Sequence, residues 1–146
     1  MGYWINLEES TFVLRDEHKE AALEIVKALN APSNNHLKRG GSWGPGTGKT
    51  QHWFSWMPAD YDKTVGSIEE VFELLGFILA EEPDGAMLLD DYDSKTGQED
   101  LFLGAIAHLV EDDTYVQFVG EDGDRYRYVF KDGKMTTKHA TLVWED

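Results

Sequence analysis

Two Asp-Gly pairs late in the chain constrain its fold more than any other feature. They stand in Glu121-Asp122-Gly123-Asp124 and Lys131-Asp132-Gly133-Lys134. Such pairs supply the positive φ angles of tight turns whose twist matches that of paired antiparallel strands. The runs they separate, 114–119, 125–130 and 135–144, have strand character. In the middle run Tyr126, Tyr128 and Phe130 share one face, while Arg125 and Arg127 share the other. A slip of one residue would expose the aromatics and bury the arginines, so the register should be fixed. A three-stranded antiparallel meander with its aromatic face against helices is expected.

Upstream, Pro83-Asp84-Gly85 separates two further apolar runs, 77–80 and 86–90, which read as another hairpin. Near the start Tyr3, Ile5 and Leu7 alternate as in a strand, and Phe12-Val13-Leu14 follows a polar break. Helical spacing appears three times. The first helix covers 16–29, with Asp16 as N-cap and Ala22, Ile25, Val26 and Leu29 as its stripe. The second opens on a capping box, Ser67 with Glu70, buries Ile68, Val71, Phe72 and Leu75, and stops at Gly76. The third pairs Thr96 with Glu99 and carries Leu101, Phe102, Ala105, Ile106 and Leu109. The fold class is therefore α+β: a largely antiparallel sheet with three helices packed on one face, in a single domain over 1–146.

Charge separates one segment from the rest. The chain carries 28 acids against 13 bases, a formal net charge of -15. Such a field repels nucleic acid and anionic membranes, so direct DNA, RNA or membrane binding is not expected. It suits either solubility or attraction to a basic partner. Yet residues 31–59, read as a glycine- and tryptophan-rich loop with a short strand-like aromatic run at 53–56, contain no acid at all. They hold Lys38, Arg39 and Lys49, five glycines (Gly40, Gly41, Gly44, Gly46, Gly48) and three of the five tryptophans, Trp43, Trp53 and Trp56. Glycine lets backbone donors approach an anion closely, and tryptophan offers a flat face for stacking. Lys38, Arg39, Gly41, Trp43, Gly46, Gly48, Lys49 and Trp53 are thus the candidate ligand or partner residues. Trp43 is expected to be exposed and Trp53 to belong to the core.

Within this segment, Trp43-Gly44-Pro45-Gly46-Thr47-Gly48-Lys49-Thr50 resembles the phosphate-binding loop of AAA-type ATPases. That loop needs four residues between its glycines, and only three separate Gly44 from Gly48. The preceding residues do not read as a strand, and Pro58 follows too soon for a full helix. The apolar run ending in Asp90 and Asp91 is similar to a Walker B strand but sits in a hairpin pattern. The resemblance is read as coincidental, and a P-loop NTPase stays a remote alternative.

No metal or cofactor is expected. Asp90, Asp91 and Asp93 begin like a calcium loop, but Lys95 and Thr96 stand where an oxygen ligand and a glycine are needed. The five histidines show no zinc spacing. The chain has no cysteine, no apolar run of about 18 residues and no secretory leader in its first ten residues, so a cytoplasmic location is expected.

Residues 95–135, with the Gln98-Glu99-Asp100-Leu101-Phe102-Leu103 helix start and the Gly120-Glu121-Asp122-Gly123 turn, resemble the C-terminal half of small uncharacterised phage and prophage proteins. The resemblance implies no activity. It implies a phage accessory protein acting on host machinery, in the host cytoplasm, with counter-defence as the setting. The leading expectation is a non-enzymatic acidic inhibitor that docks a basic host protein, including by mimicry of nucleic-acid charge. The alternative is a binder or sponge for a nucleotide or other small anion, built on residues 38–53.

Overall fold

The computed structural model describes residues 2–43 and 49–145. Its strands and helices run β1 (Trp4–Ser10), α1 (Lys19–Leu29), β2 (Gly40–Trp43), β3 (Lys49–Trp53), α2 (Tyr61–Thr64), α3 (Ile68–Leu75), β4 (Ile78–Glu81), β5 (Met87–Asp91), β6 (Asp93–Lys95), α4 (Glu99–Ala105), β7 (Thr114–Gly120), β8 (Arg125–Lys131) and β9 (Lys134–His139). Short 3-10 helices cover Asp16–His18, Pro32–Leu37 and Ala107–Leu109. No helix is long and apolar enough to cross a membrane.

Five strands form the main sheet in the order β6-β1-β7-β8-β9, every neighbouring pair antiparallel. β7, β8 and β9 are the meander expected from the Asp-Gly turns. Gly123 and Gly133 take φ of 88° and 76°, values that a side chain would strain. The register is also the expected one. Val116 faces Tyr128 and Phe118 faces Tyr126, while Thr114 faces Phe130. Tyr128 and Phe130 are buried and Tyr126 half-buried, whereas Arg125 is exposed. Arg127 lies 3.9 Å above the Tyr115 ring on the outer face.

The inner face shares one buried cluster with the helices: Ala22 and Val26 of α1, Ile68, Val71, Phe72 and Leu75 of α3, and Phe102 and Leu103 of α4. Each large side chain so buried contributes about 1.5–3 kcal/mol. α3 is bounded as its sequence dictates. The Ser67 hydroxyl accepts from the Glu70 N–H at 3.2 Å, and Gly76 takes φ of 116°.

Four expectations are corrected. β4 and β5 pair as expected but form a separate two-stranded sheet, and the main sheet takes β6 in their place. α4 begins three residues after Thr96, because the Glu99 carboxylate turns back to accept from the Thr96 hydroxyl and the Gly97 N–H. The last strand ends at His139, and Leu142, Val143 and Trp144 are exposed. Finally, residues 31–59 are not one long loop. Gly40–Trp43 is a strand although its first three residues, Gly40-Gly41-Ser42, do not favour one, and it pairs antiparallel with Lys49–Trp53.

Candidate functional site

The β2–β3 hairpin is fastened to the body by Gln98, a side chain only 2% exposed. Its carbonyl oxygen accepts from the Arg39 and Ser55 backbone N–H groups, each at 3.1 Å, and its amide donates to the Leu37 carbonyl at 2.7 Å. One glutamine thus holds the entry and the exit of the hairpin against the start of α4. Beside it, Tyr92 donates to the Lys95 carbonyl at 2.8 Å, and the Thr96 N–H donates to the Tyr3 carbonyl at 2.8 Å. These bonds fix the end of β6, and Lys95 and Thr96 line one space with Gly40 and Trp53 of the hairpin.

Between them lies a cleft of about 390 Å³ lined by Gly2, Arg39, Gly40, Trp53, Ser55, Trp56, Lys95 and Thr96. Three glycines shape it by the absence of a side chain. A methyl group on Gly40 would fall inside the Trp53 indole, and one on Gly97 inside the Trp56 indole. One on Gly2 would come within 2.7 Å of the Lys95 stem. Trp53, Trp56 and Lys95 therefore each lie across a glycine. Trp56 is 48% exposed and holds φ of 72°, a left-handed conformation rare for a bulky residue and worth about 1–3 kcal/mol of strain. Its neighbours Phe54 and Met57 are buried and fix it there, with the Met57 N–H donating to the Phe54 carbonyl at 2.9 Å.

The charge of the cleft opposes that of the molecule. None of its lining residues carries a carboxylate. Ion pairs engage Arg15, Lys19, Arg125 and Lys131. Among the described residues none engages Arg39 or Lys95. Two cations and two indoles thus face a common space, with the Ser55 and Thr96 hydroxyls at its wall.

The candidate residues divide on this geometry. Arg39 and Trp53 line the cleft, Trp53 half-buried rather than fully in the core. Gly41 lies in β2 opposite His52. Lys38 turns inward and is 8% exposed. Its ammonium donates to the Asn30 carbonyl and to Asn35 Oδ1, both at 2.9 Å, and sits 5.5 Å from the Phe54 ring centre. Burial lowers its pKa, with Asp62 opposing the shift. Lys38 therefore braces the core and offers no charge to an outside ligand. Gly46 and Gly48 lie outside the described residues, as do the side chains of Trp43 and Lys49. Lys49–Trp53 is a strand, so the residues after the glycines do not open the helix that a phosphate-wrapping loop requires.

Trp56 and Lys95 belong to the cleft but were not among the candidates. Both are brought there by Gly97 and Gly2, a proximity that no local spacing announces. Among the described residues no three metal-ligating side chains cluster. No protein-family model matches the chain, and neither the curated proteins nor the solved structures show a match.

Proposed function

We propose that this chain is a non-catalytic binding protein whose tryptophan cleft takes a small anion that carries a planar base, of the nucleotide class. One observation carries the reading: two indoles seated on glycines share a cleft with two cations, Arg39 and Lys95, that make no ion pair among the described residues. An indole face stacks a base for about 1–3 kcal/mol. A guanidinium and an ammonium supply charge-assisted bonds to phosphate. Intrinsic tryptophan fluorescence, titrated with nucleotides, tests it. Saturable quenching is expected, weakened about tenfold, or about 1.4 kcal/mol, by Arg39→Ala, Lys95→Ala or Trp56→Ala. Lys38→Met, which removes an inward-facing ammonium, should leave the affinity unchanged. No response to any nucleotide at millimolar levels removes the reading.

A second reading is favoured by where the acids gather. Lys19 reaches Asp16, Glu69 and Glu81 at 3.0–3.7 Å, so three elements rich in carboxylates share one side. We propose that this side docks a basic protein, which in the setting of a phage accessory protein is a host defence factor held inhibited by mimicry of nucleic-acid charge. Nucleic acid should compete for such a target, and salt should weaken the complex. Binding indifferent to salt removes the mimicry.

A further inference from the structure

The acidic side contains an open strand edge. Among the described residues β4 pairs with β5 alone, and Leu14 bridges the far side of β5 at Met87. Leu14 and Met87 exchange backbone bonds at 2.8 and 3.0 Å. The register then says which groups of β4 are free. Facing residues of an antiparallel pair alternate between bonded and non-bonded positions. The Glu82 N–H donates to the Ala86 carbonyl at 2.9 Å, so Ala80 with Leu88 is the next bonded pair. Leu79 faces Leu89 and Glu81 faces Met87 in the non-bonded positions between. Leu79 and Glu81 therefore aim their N–H and carbonyl groups away from β5. Among the described residues no backbone group takes them up.

Ile78, Leu79, Ala80 and Glu81 of this edge line a groove of about 370 Å³ together with Glu69 and Glu73 of α3 and with Lys19. Lys19 is already surrounded by carboxylates. Ile78, within this lining, is 58% exposed. We infer that β4 receives an extended segment of a partner protein in which basic and apolar side chains alternate. The inference rests on the acidic-side reading above and names how that side would hold its partner. A partner strand would satisfy the outward groups of Leu79 and Glu81 and place its cations against Glu69, Glu73 and Glu81. A second copy of this chain is disfavoured as occupant, because it would bring an edge bearing Glu81 and Glu82 against the same acids.

The test is anisotropy of a labelled synthetic peptide of alternating lysine and valine, with alternating glutamate and valine as control. Salt-sensitive binding of the basic peptide alone is expected. Glu73→Lys should weaken it about tenfold. Glu81→Gln removes a charge, and Glu81→Pro also removes an outward N–H without touching the β5 ladder. Glu81→Pro should therefore weaken binding further than Glu81→Gln. On the unaltered protein, the peptide should slow amide hydrogen exchange at Leu79 and Glu81. This measurement stands even if the proline variant folds poorly. Salt-sensitive binding with neither the variant losses nor the protection overturns the edge inference and leaves the acidic-side reading standing. Failure of the basic peptide to bind even at low salt overturns both.

Discussion

Gln98 satisfies three backbone groups at once, in a place that water does not reach. Leucine there would leave the Arg39 and Ser55 N–H groups and the Leu37 carbonyl without their partner. An unsatisfied buried group costs about 1–3 kcal/mol. Gln98→Leu should therefore lower the unfolding free energy by about 3 kcal/mol in denaturant titration and abolish nucleotide-induced quenching. A loss within the experimental error would mean that the hairpin is held some other way. The sequence shows Gln98 only as one polar residue at a helix start. Its role depends on Leu37 and Ser55, which lie 61 and 43 residues away. Lys38 was hidden for the same reason. A lysine beside an arginine and a run of glycines reads as a cation for a ligand. Only the folded chain brings the Asn30 carbonyl and the Phe54 ring to meet it.

Elements whose signals are local were legible. α3 starts and stops where Ser67 and Gly76 say it must, and the meander follows its Asp-Gly turns. Both ends of α3 can be probed. Ser67→Ala removes the cap and should cost about 1 kcal/mol. Gly76→Ala places a methyl group in the left-handed region and 2.9 Å from the Tyr92 ring, so it should cost more, about 2 kcal/mol. Chemical denaturation of the two variants checks the order, and a larger loss at Ser67 would contradict it. Elements formed by pairing were not legible. Nothing in Gly40-Gly41-Ser42 favours a strand, and β2 exists because β3 and Gln98 hold it. β6, three residues long, is likewise a strand only because β1 lies beside it.

For the molecule as a whole, charge and burial make opposite demands that pH and salt can separate. Burial raises the pKa of Tyr61, Tyr92, Tyr126 and Tyr128 above the ordinary value of 10.0. Tyr3, bonded to Asp122, rises to about 12. A group with a raised folded pKa contributes stability that is intact below its unfolded pKa and lost as pH climbs towards the folded one. Phenolate absorbance should therefore appear above pH 10 in one steep step that coincides with loss of near-ultraviolet circular dichroism. Several tyrosines ionising near pH 10 with the fold intact would contradict this. With a net charge of -15, salt should raise the melting temperature by screening self-repulsion, while it weakens both proposed kinds of binding. Melts and titrations across about 0.05–0.5 M salt should thus move in opposite directions. The sheet order has a last consequence, for synthesis on the ribosome. β1 sits between β6 and β7, and its flank is bonded across 104 residues, from Thr11 to Tyr115. The strand translated first must therefore wait with both edges bare until β6 emerges, and with one edge bare until β7 follows. A nascent chain stalled before β7 should remain open to protease, and the sheet should close only as the meander leaves the exit tunnel.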